Sequence, residues 1–559
     1  LKYTFNGEEN LQDTSFIDSL SKWLVEIINL RKRGYTMSKI INPVLPGYHP
    51  DPSILRVEDD YYLAVSTFEW FPGVQIHHSK DMVNWRLLTY PLTSESQLNM
   101  IGNVNSGGVW APCLSYSDGM FYLIYTDVKS RVGAFKDTHN YLVTAENIEG
   151  PWSEPVYLNS SGFDPSMFHD EDGRKWLVNM IWDFRKGTNS FAGIALQEYS
   201  VEEKKLVGPI QNIFKGSEIG LTEAPHLYKR NGYYYLVTAE GGTWYTHAVT
   251  VARSTSLFGP YEIDPTNPIL TSDENDTDQL QKAGHGSLVE TQNGEWYMAH
   301  LCGRPVVDKK CILGRETAIQ KCYWTEDNWL RIEGGPNPST VVEAPDLEPH
   351  PFEQESDHDD FQGNTLKKYW NSLRRIFSEE WISLTERPGY LTLKGEESMS
   401  SLHRQSLLAR RLESFTAELE TAVEYVPETF QQMAGLIFYY DTDDYVYLRI
   451  TTHETLGKCI GIIESKHGVY DELLNQDIPL NSEGLIKLKA KVDHQWLQFA
   501  YAEGEDEWKD IGSKIDIGHL SDDDADYIRF TGTFVGVCAQ DLSGQKKPSY
   551  FPYFKYDEL

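Results

Sequence analysis

A short pattern returns five times along this chain of 559 residues, each time headed by a different, chemically pointed residue. The copies are Asp51-Pro-Ser-Ile-Leu, Trp110-Ala-Pro-Cys-Leu, Asp164-Pro-Ser-Met-Phe, Glu223-Ala-Pro-His-Leu and His285-Gly-Ser-Leu-Val. Eight positions after each head comes a turn pair: Asp59-Asp60, Asp118-Gly119, Asp172-Gly173, Asn231-Gly232 and Asn293-Gly294. An aromatic strand follows each time, beginning near Tyr61, Phe121, Trp176, Tyr234 and Trp296. Asp-Gly and Asn-Gly supply the positive φ angles of tight hairpins, so each copy predicts strand, turn, strand. The heads lie 59, 54, 59 and 62 residues apart. A unit of that size, repeated five times, predicts a five-bladed β-propeller of four-stranded sheets.

In such a fold the first strand of every blade lines the central channel, so equivalent positions converge near the axis. The converging set is Asp51, Trp110, Asp164, Glu223 and His285. Three carboxylates in one funnel resist joint ionisation. A single Asp or Glu at a strand start is ordinary turn chemistry; three in register predict a catalytic centre.

Composition narrows the substrate. Acidic side chains outnumber Lys and Arg by 83 to 50, a net charge of −33, which repels nucleic acid and anionic membranes and favours a neutral small molecule. Aromatic content of 13% suits an all-β protein that handles sugar rings. No run of 18 apolar residues predicts a membrane span. The cysteines form no CxxC pair and are read as reduced core thiols. Phosphate-loop, zinc and nucleophile-elbow motifs do not occur in a fitting context.

The length calls for more than one domain. Residues 1–36 stand outside the repeat. Their apolar stripe, Thr14 to Gly34, is followed rather than preceded by Arg31-Lys32-Arg33, so they are read as a leader or tag-like segment, with Met37 as the natural start. Without a recognised entry signal the expected location is cytoplasmic. Residues 37–335 form the propeller, and the Pro-rich acidic stretch 336–352 is read as a linker. Residues 353–559 show period-two alternation at Ala417–Val423, Tyr445–Ile450, Leu485–Val492 and Trp496–Ala502, which predicts a β-sandwich.

Longer stretches carry a resemblance. Asn42-Pro-Val-Leu-Pro-Gly-Tyr-His-Pro-Asp-Pro-Ser, Ser66-Thr-Phe-Glu-Trp-Phe-Pro-Gly, Gly108-Val-Trp-Ala-Pro, Gly216-Ser-Glu-Ile-Gly-Leu-Thr-Glu-Ala-Pro-His, Gly314-Arg-Glu-Thr-Ala-Ile-Gln and, further on, Phe377-Ser-Glu-Glu-Trp-Ile-Ser-Leu-Thr-Glu-Arg-Pro-Gly-Tyr-Leu resemble the β-xylosidases of glycoside hydrolase family 43. The likeness runs from Met37 to the C-terminus. It implies a five-bladed propeller, a C-terminal β-sandwich that helps close the pocket, and exo-acting hydrolysis with inversion. The implied reaction releases D-xylose from the non-reducing end of β-1,4-xylo-oligosaccharides. An α-L-arabinofuranosidase or a dual enzyme is the alternative, and a non-catalytic glycan-binding propeller a distant third. No cofactor is implied for the chemistry. A homo-oligomer is admitted by the resemblance, whereas nucleic-acid and membrane partners are not expected.

By that resemblance Asp51 is the general base, Glu223 the general acid, and Asp164 the group that raises the acid's pKa and orients it. Inverting glycosidases need this pair of carboxyl groups, with room for a water between base and sugar. Trp110 either stacks on the sugar or packs within its blade, and Phe68 and Trp182 follow the same logic. Arg315 either donates to sugar hydroxyls or pairs with Glu316 or another carboxylate. His285 is either a hydrogen-bonded axial histidine or the neighbour of a calcium ion reached through water, since calcium wants six to eight oxygens. Phe530 and Phe534, in Phe530-Thr-Gly-Thr-Phe534, are expected to be the sandwich's contribution to the pocket wall, or else core residues at alternate strand positions.

Overall fold

The computed structural model describes residues 38–273, 275, 279–525 and 528–559. The segment 1–36, with its apolar stripe, lies outside the described residues. Among those described, the helical content is one 3₁₀ turn, Val307–Lys309, and no helix is long and apolar enough to cross a membrane.

The five repeat copies become five antiparallel sheets arranged as a β-propeller. Their innermost strands are Ser53–Val57, Gly108–Ser117, Ser166–His169, Glu223–Arg230 and Gln281–Glu290. Asp118-Gly119 and Asn231-Gly232 form the two-residue hairpin loops that their sequence calls for. Blades three and five use five-residue loops containing Asp172-Gly173 and Asn293-Gly294. Blade one departs from expectation: Val57 pairs with Asp60, so its loop is Glu58-Asp59, and Glu58 takes the left-handed conformation (φ 54°).

The repeated serine fastens blades to one another. Leu114 N–H donates to Ser53 Oγ (3.1 Å), Ser166 Oγ donates to the Pro225 carbonyl (2.6 Å), and Ile54 N–H donates to Ser287 Oγ (3.1 Å), which joins blade five to blade one. The chain before blade one adds a second closure. Lys39–Ile41 pairs with Val341–Glu343, a strand inside the stretch read as linker, and the Asn42 amide makes two 2.8 Å bonds to the Ile319 backbone. Asp51 is thereby carried alongside the strand Arg315–Trp324.

The C-terminal part is a β-sandwich of two large antiparallel sheets. Strand Leu485–Asp493 alternates buried and exposed positions as predicted, whereas Tyr445–His453 is buried on both faces over most of its length. The reason is packing: one face of its sheet meets the other sheet, and Tyr439, Tyr447, Ile437 and Phe534 on the opposite face join propeller residues Phe68, Trp70 and Tyr48 in one apolar cluster. The same sheet takes Trp70–Phe71 from blade one as its edge strand, paired with Asn371–Leu373. The two parts therefore share both a core and a sheet.

Candidate active site

All five head residues line one cavity of about 270 Å³. Its backbone is unusual. Asp51, Asp164 and His285 sit at φ 56°, 52° and 53°, and in blades two and four the left-handed residue is the one after the head, Ala111 (φ 29°) and Ala224 (φ 49°). Asp51, Ala111 and Ala224 each stand seven residues before the left-handed loop residue Glu58, Asp118 or Asn231. In backbone register, then, Trp110 and Glu223 come one residue earlier than the other heads. Non-glycine residues in this region are strained and persist only where the surroundings over-determine them; three of five here carry the pointed side chain itself.

Electrostatics divides the carboxyl groups. Asp51, 5% exposed, accepts a bond from Ser66 Oγ at Oδ2 (2.7 Å) and one from Arg315 Nη1 at Oδ1 (3.1 Å). Ser66 Oγ in turn accepts the Ala111 N–H (2.8 Å), so blade two helps hold the Asp51 carboxylate. Asp164 Oδ2 accepts the N–H of Ala224, the residue next to Glu223 (3.2 Å). Burial pushes the Asp164 carboxyl up to about 8, with the charge of Asp51 adding to it. Glu223 is raised well above the carboxylate range, first by burial, then by the charges of Asp164 and Asp51, with Arg315 opposing. The Ala224 N–H opposes the rise at Asp164, so Asp164 gives up its proton before Glu223 does.

Aromatic rings form the rest of the wall. Trp110, Phe68, Trp182 and Phe530 all face the cavity. Trp110 is both packed and lining: its Nε1 donates to the Ser106 carbonyl (2.9 Å), and its ring meets Phe163 and Phe530 edge-on at 5.5 and 5.2 Å. Trp182 donates to the Ala134 carbonyl (2.8 Å), and the Lys136 ammonium lies 4.4 Å from its ring.

The first part of the chain, residues 40–330, matches the family model of glycosyl hydrolases family 43, and residues 358–557 match that of the β-xylosidase C-terminal concanavalin A-like domain. The chain belongs to glycosyl hydrolases family 43. A β-xylosidase of Bacillus subtilis is 51% identical over 93% of this chain and 100% of its own. Xylosidase/arabinosidase 43B of Humicola insolens is 48% identical over 93% of this chain and 98% of its own. The crystal structure of xylan β-1,4-xylosidase from Bacillus halodurans C-125 superposes with a TM-score of 0.92 at 64% identity, covering 93% of this chain and 100% of that one.

Within this family 43 site, the expectations for Arg315, Phe534 and His285 resolve differently. Arg315 pairs with Asp51, because Glu316 is already engaged by Arg304 (2.7 Å to each carboxylate oxygen). Phe534 is a correction: it is fully buried, stacks on Trp70 at 3.7 Å and 12°, and does not reach the cavity. It begins the strand Phe534–Asp541, whereas Phe530 precedes that strand, so strand parity does not relate the two. At His285 the donors do not suit calcium. Its Nδ1 lies 3.8 Å from Asp51 Oδ1, the neighbouring imidazoles of His226 and His247 are kept neutral by burial, and no oxygen cage surrounds it among the described residues. Burial holds His285 below the usual imidazole range.

Residues the repeat did not point to also line the cavity. Thr243 accepts from Arg315 Nη1 (3.1 Å), Phe163 immediately precedes Asp164, and His247, Lys136 and Ile528 are among the other wall residues. Adjacency to a head was a usable signal for Phe163. Nothing in the local pattern marks Ile528.

Proposed function

We propose that this family 43 hydrolase is an exo-acting, inverting β-xylosidase that releases D-xylose from the non-reducing end of β-1,4-xylo-oligosaccharides. The observation that carries the reading is the unequal treatment of the carboxyl groups. Asp51 is ion-paired with Arg315, while Glu223 is pushed above the carboxylate range. Two carboxyl groups whose surroundings pull them apart are what acid–base division needs.

In this reading Asp51 takes a proton from water as the water oxygen bonds to the anomeric carbon. Glu223 gives its proton to the departing glycosidic oxygen as the carbon–oxygen bond breaks. Asp164 raises the acid's pKa and, through the Ala224 N–H, fixes its backbone. Trp110, Phe68 and Trp182 supply ring faces for the sugar, and Arg315 bridges Asp51 and the wall. The Phe530 ring and the Ile528 side chain bring the sandwich domain into the cavity wall, which supports cleavage at a chain end rather than within a chain. No step passes through a metal at His285.

The B. subtilis and B. halodurans relatives, named as a β-xylosidase and a xylan β-1,4-xylosidase, support xylose over arabinose. The H. insolens relative bears both, so an aryl α-L-arabinofuranoside is the comparison substrate. The test is proton NMR of the first turnovers on xylobiose together with rates on the aryl xyloside and arabinofuranoside. α-Xylose should appear first, and the xyloside should be the faster substrate. Initial β-xylose would overturn the water-mediated role of Asp51, and a faster arabinofuranoside would overturn the sugar assignment.

A further inference from the structure

Behind the cavity wall lies a buried charge cluster that the reaction does not use. Lys282 stands on the innermost strand of blade five, three residues before His285, with its side chain 0% exposed and its backbone left-handed (φ 57°). Its ammonium lies 2.6 Å from Asp523 and 3.4 Å from Asp522, both on a sandwich-domain loop and both 3% exposed. Asp523 is held a second time, by the Cys311 N–H of the propeller (2.9 Å). The Cys311 thiol and the two carboxylates have metal-ligand spacing, but the Lys282 ammonium already supplies the cation they face.

The same loop returns to the active site. Arg529 closes its base with bonds to the His519 and Ser521 carbonyls (2.9 and 2.5 Å), and on either side of Arg529 are Ile528 and Phe530, which line the cavity. Phe530 is then tied across the cavity mouth by its carbonyl to Arg315 Nη2 (3.1 Å) and its N–H to Ser106 Oγ (3.2 Å). Lys282 also acts from its backbone: its carbonyl accepts from His247 Nδ1 (3.2 Å), and His247 lines the cavity. The fit there is close, since a Cβ at Gly284 would come within 2.3 Å of the His247 ring.

We propose that Lys282 is a positioning residue whose buried ammonium latches the Asp522–Asp523 loop to the propeller and so seats the Phe530 wall against the sugar-binding cavity. The inference rests on the β-xylosidase reading for its kinetic test alone. Removing Lys282 alone leaves two buried carboxylates uncompensated, whereas removing Asp523 with it leaves only Asp522, which burial already pushes up to about 7 and which can take a proton. The variants, all in the full chain, are therefore Lys282→Met, Asp523→Asn, the double variant, and Lys282→Arg as the conservative replacement.

Two readouts separate the latch from general damage. In the double variant KM for xylobiose and the inhibition constant for xylose should each rise about tenfold while kcat stays within about threefold, the signature of lost binding rather than lost chemistry. Lys282→Arg should recover most of the loss. Independently of activity, hydrogen exchange at the Phe530 amide should accelerate in Lys282→Met and in the double variant, with the sandwich strands unchanged. A folded double variant with wild-type KM, xylose inhibition and Phe530 exchange would overturn the latch. If Lys282→Met does not fold, Asp523→Asn and the double variant decide. A wild-type enzyme that releases no xylose would overturn the functional reading instead, and the exchange measurement would still decide the latch.

Discussion

The two sides of the cavity are built by different means. The propeller side is made five times over from one backbone device, a left-handed residue at or beside the head of each inner strand, locked by serines that bond across blades. The sandwich side is made once, from a loop anchored by ion pairs and by a Phe530 backbone tied at both its N–H and its carbonyl. A repeated device fixes where charge sits to within a hydrogen bond. A single loop fixes the shape of an opening. Chemistry is therefore expected to fail when the propeller side is altered, and substrate affinity when the sandwich side is.

The sharpest way to break that division is at the heads. Asp51→Ala and Glu223→Ala should each lower kcat on xylobiose by about 10²–10⁴-fold, the range of general acid–base catalysis. Glu223→Ala should lose less on an aryl xyloside with a good leaving group, which needs little protonation. Steady-state rates on the two substrates check this. A variant that keeps more than about a tenth of wild-type turnover on xylobiose removes that carboxyl from the acid–base pair.

Two phenylalanines four positions apart then test the other side. Phe534 is sandwiched against Trp70 in the shared core, so Phe534→Ala should cost about 3–5 kcal/mol of stability and leave KM unchanged. Phe530 lines the cavity and is packed against Phe68 and Trp110, so Phe530→Ala should raise KM for xylobiose about tenfold with kcat nearly unchanged. Denaturant melts and steady-state kinetics on both variants suffice. The reverse pattern would mean that the wall is formed by Phe534 and that the division of labour fails.

What could be read beforehand follows the same line. Heads, hairpins and blade count were legible because the pattern repeats, and Asp118-Gly119 and Asn231-Gly232 sit at the loops they encode. The one-residue offset of Trp110 and Glu223 was hidden by aligning the copies on their heads: their proline stands two residues after the head rather than one, and their hairpin loop begins eight residues after it where that of blade one begins seven. Blade one misled for a related reason: Glu58, not an Asn or Gly, takes the left-handed position. The Phe530–Phe534 pairing assumed a strand that begins only at Phe534. Lys282 and Asp522 lie 240 residues apart, and no local pattern announces that they meet.

The smallest expected effect is a gain in stability at the active site. Asp164 in the native protein titrates near 8 because burial, and then the charge of Asp51, disfavour its ionised form. In the unfolded chain an aspartate titrates near about 3.9, so above that pH the unfolded chain has released a proton that the native protein still holds. Native stability is then full at low pH, falls as pH rises past the unfolded value, and stops falling once the native carboxyl also ionises. Asp164→Asn cannot ionise and still offers an oxygen to the Ala224 N–H, so it should melt close to wild type near about pH 4 and a few degrees higher near about pH 8. Its activity should change in the opposite sense. With the Asp164 charge gone, the Glu223 carboxyl is less strongly raised, and the pH above which xylobiose turnover falls should move down. Thermal melts at the two pH values and a pH–rate profile check both halves. An Asn variant that is less stable at the higher pH, or whose profile does not move, would mean that Asp164 shapes the backbone beside the acid without setting its proton.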